Sequence, residues 1–391
     1  MRLRHPDGTV VHLAYCTNVH PAEDLEGVFG QLARFAEPVR ERLGVDRLGL
    51  GLWLARDVAT ALRADPDALA RLRAELEARA LEVVTLNGFP YRGFQKPVVK
   101  HAVYRPDWTE PERLRYTVDL AWILAALLPD GAARGSISTL PLAWREPWTD
   151  DRRDRARRAL DELAAALGAV ADATGRPIRV GFEPEPGCLV ETTADAVARL
   201  GGVDPARLGV ALDACHLAVA FEEPGAAVAR LVAAGLPIVK LQAAVALVVP
   251  DPADPVARAA LGAFAEPRFL HQTREDAAAG LLRSDDLAAA LGGPDALPAR
   301  DPWRIHFHMP LHAAPPAPLA SSRPVLEATL ATLFGGRRAL TDHVEVETYT
   351  WPVMPGAGDD GDLVAGLAAE LVWARGALLA TGLTAPTGVP A

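Results

Sequence analysis

Lysine is nearly absent from this 391-residue chain, which holds three, Lys96, Lys100 and Lys240, and cysteine is as rare, at Cys16, Cys188 and Cys215. Three scattered thiols exclude a disulfide framework and a structural zinc knuckle. They fit a reducing compartment, so a cytoplasmic location is expected. Positive charge is also in deficit, with a formal net charge of −10 and a pI near 5.5, which leaves no general field to attract nucleic acid or an anionic membrane surface. Long hydrophobic runs are missing too. The start, MRLRHPDGTVVHLAYC, has no continuous apolar segment of the secretory kind, and AWILAALL falls well short of a bilayer span. No nucleic-acid partner and no stable membrane insertion are expected. No Gly/Ser linker breaks the composition, and 50% hydrophobic content suffices for one large core. Residues 1–380 are expected to form a single domain, followed by a flexible Pro/Gly tail over 381–391.

What is present is a regular alternation of short apolar runs and helical periodicity. His12–Asn18, Leu48–Leu54, Leu81–Leu86, Ser136–Leu140, Ile178–Phe182, Leu208–Leu212 and Ile238–Gln242 have the pattern of strands. Helices are predicted between them over Ala22–Leu43 (interrupted at Pro38), from Asp65-Pro66, and over Glu110–Leu128, Asp150–Thr174, Thr193–Leu200 and Pro224–Ala234. Seven strands in strict alternation with helices indicate a parallel α/β protein, and a barrel of eight needs one more. The eighth comes late, after an irregular Pro/Ala-rich insertion over Val245–Asp301, as His343–Thr350 (HVEVETYT), closed by a helix over Asp362–Leu379. The predicted fold is therefore an α/β (β/α)8 TIM barrel with rim insertions after strands three and seven. Gly49 and Gly51 lie inside LGLGLWL without a third glycine at dinucleotide-loop spacing, so they predict close strand packing instead.

The chemistry gathers at strand ends. Between Ile178 and His216 two runs end in Glu183 and Glu185 and in Asp213 and His216, with a capped helix between them. Such a connection favours parallel strands, which send their ends to one rim, where carboxylates and an imidazole suit a divalent cation. Singly, Glu183 and Glu185 around Pro184 also fit a solvated turn, and Asp213 with His216 also fits a helix cap followed by a core histidine. Two other stretches stand out. Asn87–Trp108 (NGFPYRGFQKPVVKHAVYRPDW) has no periodicity and mixes aromatics with Lys96, Lys100, His101 and Arg105, which fits either a binding loop or a surface loop tucking in its own rings. RIHFHMPL sends His306 and His308 the same way if it is a strand, and it can pair antiparallel with Phe269–Arg274; a solvated edge face is the plainer alternative.

With its strand ends assembled, the chain resembles the xylose-isomerase-like family of TIM barrels, of sugar phosphate isomerase/epimerase type, over nearly its whole length. The resemblance implies one divalent metal ion, manganese, magnesium or zinc, held by Glu183, Asp213 and Glu347. Where that family has a strand-seven histidine this chain has Gln242, so the further ligand is expected to be Gln242, the insertion's His308, or absent. The implied reaction is a proton transfer between neighbouring carbons through an enediolate, with Glu183, Glu347 and His216 catalytic. Asn87, Tyr91, Lys100, Trp108, Glu185 and His306 are expected to contact a small-molecule metabolite. More narrowly, NGFPY, VYRPDW, FEPEPG and VETYTW are similar to the EboE family of metabolite traffic proteins. That likeness implies work on a metabolite precursor linked to secondary-product export, with other proteins of an Ebo-type cluster as partners. The competing function is a non-catalytic metabolite-binding carrier. The DNA-endonuclease type of the same barrel needs a His-rich multi-zinc cluster and a basic face, against which the net charge argues.

Overall fold

Eight parallel strands close into a ring in the computed structural model, which describes residues 1–385. From first to eighth they are Val10–Cys16, Leu48–Trp53, Leu81–Asn87, Gly135–Thr139, Ile178–Phe182, Leu208–Asp213, Ile238–Ala243 and His343–Val346, and the eighth pairs with both the seventh and the first. The fifth and sixth are parallel as expected, with Val180 opposite Leu208 and Phe182 opposite Val210.

Period-two alternation decides what fills the barrel. On the eighth strand His343 and Glu345 turn inward, Glu347 follows just past its end, and on the seventh Lys240 and Gln242 do the same. The interior is therefore polar, in tiers. Ser136 Oγ lies 2.8 Å from Thr85 Oγ1 and 2.7 Å from His343 Nδ1; Lys240 and Glu345 form a fully buried ion pair; Gln242 Nε2 donates to Glu347 at 2.8 Å. Pairing offsets the desolvation cost of each group. Room for Glu345 comes from Gly51, where a Cβ would sit 1.6 Å from the Glu345 carboxylate, so the glycines of LGLGLWL do serve close approach.

The helix Thr193–Leu200 fixes the spacing between the fifth and sixth strands. Thr192 accepts from the Asp195 amide while Asp195 accepts from the Thr192 amide, a reciprocal cap. Thr192→Ala is expected to cost about 1 kcal/mol, read as a shift in urea midpoint at unchanged slope.

Several expected boundaries move. The first strand stops at Cys16 and the chain turns through Thr17–Val19. The helix expected over Ala22–Leu43 is two segments, Leu25–Gln31 and Glu37–Leu43, joined by a π-turn at Leu32–Ala36, since Pro38 has no N–H to continue the α-helical ladder. Arg56–Ala64 and Ala214–Val219 are additional helices. The Val245–Asp301 stretch is more ordered than its composition predicts. Val245–Val249 is a strand that pairs antiparallel with Trp303–Met309, which in turn pairs with Thr273–Ala277; Gly280–Ser284 and Ala320–Ser321 complete a five-stranded sheet. The expected pairing of the two histidine-bearing stretches is thus present inside a larger sheet. Asp360–Ala380, long and apolar enough by composition to cross a membrane, buries Leu367, Leu371, Leu378 and Glu370 within the molecule. At the expected tail, Thr384 exchanges backbone hydrogen bonds with Arg4 at 2.8 and 2.9 Å, and 386–391 lie outside the described residues.

Candidate metal centre at the barrel mouth

The ends of the fifth, sixth and eighth strands bring three of the expected ligands together. Glu183, Asp213 and Glu347 offer carboxylate oxygens that all lie within 4.8 Å of one another, and all three residues are buried. Asp213 serves in both of the ways its sequence context allowed: Oδ1 caps the Ala214–Val219 helix, accepting from Cys215 N at 2.6 Å and His216 N at 3.1 Å, while Oδ2 faces the cluster.

Glu347 is held by three amides. Asn18 Nδ2 and Asn87 Nδ2 donate to Oε1 at 2.7 and 2.9 Å, and Gln242 Nε2 donates to Oε2. With its amide turned that way, Gln242 Oε1 is buried without a hydrogen-bond partner among the described residues. His308 Nδ1 lies 2.7 Å from the Glu347 carbonyl oxygen and must donate to it, which leaves Nε2 with a lone pair.

Whether these residues fit a cation is decided by their unpartnered atoms. Glu183 Oε2, Asp213 Oδ2, Gln242 Oε1 and His308 Nε2 are all buried without a hydrogen-bond partner among the described residues. Buried acceptors left this way cost free energy, and a divalent cation is the species that satisfies several at once. The set, mostly oxygen with one imidazole, suits manganese or magnesium and tolerates zinc. Electrostatics agree. Burial, then Glu347 and Asp213, raises the Glu183 pKa well above the carboxylate range. Burial raises that of Asp213, and burial with Asp213 and Glu345 pushes Glu347 up to about 8.

Beside this cluster Glu185, His216 and His306 form a second group. Burial lowers the pKa of His216 to about 3 and that of His308 to about 4, and pushes that of His306 well down, so all three imidazoles are neutral near pH 7.

A cavity opens above both groups, lined by Asn87, Lys100, Glu185 and His306 among the expected contacts. Tyr91 and Trp108 do not reach it. Tyr91 packs edge-on against Tyr116, and Trp108 is wholly buried, its ring 5.3 Å from Phe182 and its Nε1 donating to Leu140 O at 2.9 Å. The Asn87–Trp108 stretch therefore serves in both ways its composition allowed, with Phe89, Phe94 and Tyr104 at the cavity and the other two rings packed inward. Asn18, Tyr349 and Phe269 line the cavity without having been singled out as contacts. Asn18 carried a signal, as a polar residue at the end of an apolar run; Phe269 arrives through the insertion and carried none.

A family model described as the xylose isomerase-like TIM barrel matches residues 40–255. No curated protein matches the chain. Among solved structures, D-psicose 3-epimerase from Clostridium cellulolyticum H10, determined with D-tagatose, is similar at 13% identity and a TM-score of 0.50, covering 94% of this chain and 99% of its own. A xylose isomerase-like TIM barrel protein from Mycobacterium smegmatis, in complex with magnesium, matches at 16% identity and a TM-score of 0.48, over 96% of this chain and 94% of its own. The probable 3-DHS dehydratase AsbF from Bacillus anthracis matches at 12% identity and 0.47, over 92% and 98%. With the model matching more than half of its length and the ring of eight parallel strands closed, the chain belongs to the xylose isomerase-like TIM barrel family.

Proposed function

We propose that this protein is a divalent-metal-dependent isomerase or epimerase acting on a small hydroxy-carbonyl metabolite, in the role of an EboE-like metabolite traffic protein. The observation that carries the enzymatic part is the convergence of the buried Glu183, Asp213 and amide-held Glu347 carboxylates, with unpartnered buried atoms on Glu183, Asp213, Gln242 and His308. Those five side chains would hold the cation, which supplies Lewis-acid polarisation of a carbonyl and its neighbouring hydroxyl and so favours an enediolate.

The chain's own residues do the rest. Asn18, Asn87 and Gln242 fix Glu347 in place, so its orientation costs nothing at the moment of reaction. Glu183 has a second oxygen beyond the one that would ligate, which can take a proton from carbon and return it to the neighbouring carbon. His216 donates Nδ1–H to the Pro184 carbonyl at 2.8 Å, so its Nε2 is an acceptor. It can orient a substrate hydroxyl but has no proton to give, which narrows the role expected of it.

The test is solvent exchange. Manganese-loaded protein incubated in D2O with a panel of ketoses and α-hydroxy ketones is expected to place deuterium on the carbon beside the carbonyl, and Glu183→Gln to abolish the uptake. The replacement of histidine by Gln242 on the seventh strand favours a second reading, a metabolite carrier. Ligand binding with no label uptake for any member of the panel would select it.

A further inference from the structure

The cavity sorts its polar groups by kind, and the sorting limits what can bind. His216 Nδ1 donates to Pro184 O, and His306 Nδ1 donates to Gln272 Oε1 at 2.8 Å. The Gln272 amide is fixed in that sense because its Nε2 donates to Pro186 O at 2.9 Å and to Tyr104 OH at 2.7 Å. Both histidines therefore turn lone pairs into the cavity, and the two Nε2 atoms face each other at 3.1 Å. Glu185 Oε2 stands 3.1 Å from His216 Nε2, its other oxygen accepting from Tyr104 OH at 2.8 Å. The two imidazole lone pairs offer acceptors to a hydroxyl entering the cavity. Tyr349 OH, 3.4 Å from His306 Nε2, is too distant to serve both.

Cations are missing from the same wall. Among the described residues lining the cavity Lys100 is the one lysine or arginine, and its Nζ is ion-paired with Asp286. Apart from the cation that the carboxylate cluster would hold, a phosphate ester would meet carboxylates and imidazole lone pairs with no free positive partner. The rest of the lining is largely apolar: Phe89, Phe94, Val99, Val103, Phe269 and Leu270.

We infer that the substrate is an uncharged hydroxy-carbonyl compound carrying an apolar or aromatic substituent, and not a phosphate ester. One hydroxyl donates to the Nε2 lone pair of His216 or His306, and the substituent lies against the aromatic and aliphatic lining. This assignment rests on the metal-dependent isomerase proposed above.

Three probes with a common ketol head separate the two claims: hydroxyacetone, 2-hydroxyacetophenone and dihydroxyacetone phosphate, titrated calorimetrically into the full-length manganese-loaded protein. 2-Hydroxyacetophenone is expected to bind roughly tenfold or more tighter than hydroxyacetone, from burial of the ring. Dihydroxyacetone phosphate is expected to bind no tighter than hydroxyacetone. Val103→Lys, at a half-buried position on the wall, should raise affinity for the phosphate ester and lower it for the phenyl ketol. If the phosphate ester binds tightest, or the three bind alike, the substrate assignment is overturned while the metal-dependent isomerase stands. If manganese binds and no ketol does, or manganese itself fails to bind, both are overturned.

Discussion

Trp108→Ala is expected to destabilise the folded protein by ~3–5 kcal/mol, the range for truncating a fully buried large aromatic side chain. Three contributions are lost together. The ring packs on Phe182, the last residue of the fifth barrel strand, at 5.3 Å between centroids. Its Nε1–H satisfies the Leu140 carbonyl at 2.9 Å, and removing that donor leaves a buried acceptor without its partner. The cavity left behind sits beneath the loop that follows the fourth strand, where collapse would pull on Leu140 and Leu142, the latter bonded to the Trp108 amide at 2.9 Å. Urea unfolding followed by far-UV circular dichroism reads the change. Val103→Ala is the matched control: its side chain lines the cavity and is half-buried, so it should weaken 2-hydroxyacetophenone binding with little change in midpoint. A Trp108→Ala protein that unfolds at the wild-type midpoint yet no longer binds the ketol would return Trp108 to the lid that its sequence context allows.

The difference between Trp108 and the strand-end carboxylates shows what a sequence can carry. Glu183, Asp213 and Glu347 follow a local rule: in parallel strands connected by helices the carboxyl ends share one rim, and side-chain parity along the strand sends alternate residues inward. HVEVE therefore placed both Glu345 and Glu347 on the inner face, though not their different fates, since Glu345 is consumed by Lys240 one tier below the rim. That distinction depends on register between the seventh and eighth strands, where Glu345 lies opposite Gln242. Loops have no such parity. In NGFPYRGF the direction of each ring is set by what it meets, Tyr116 for Tyr91 and Phe269 with Tyr349 for Phe94, and these partners are remote in sequence. The same holds for Gln272, which fixes the tautomer of His306 from just before the Thr273–Ala277 strand of the insertion sheet. Val245–Val249 was obscured for a different reason: it follows the seventh strand after one residue, so its apolar run merges with the strand before it.

Manganese at a hundredfold excess over its dissociation constant at pH 8 is expected to stabilise the protein by ~2.7 kcal/mol, a melting shift of ~3 °C for a chain of this length. The same total manganese at pH 6 is expected to contribute only ~0.4 kcal/mol. Binding must displace the proton that burial and the neighbouring carboxylates hold on Glu347 up to about 8. Each pH unit below that value weakens apparent affinity about tenfold, so two units bring free manganese level with its dissociation constant. The sign for the metal-free protein is opposite. A carboxyl whose folded pKa lies above its unfolded value near 4.5 binds its proton more tightly in the fold, so stability is lost as pH rises from there toward about 8. Metal-free and metal-loaded melting temperatures should therefore diverge with rising pH. Asp213→Asn removes one ligand and one repelling charge while asparagine still caps Ala214–Val219, so the helix survives. At pH 8 the variant should lose most of the manganese shift, and its metal-free form should melt above metal-free wild type. Magnesium and zinc run in parallel rank the donor set. A manganese shift that is equal at pH 6 and pH 8, or that Asp213→Asn keeps in full, would remove the Glu183, Asp213 and Glu347 cluster as the metal site.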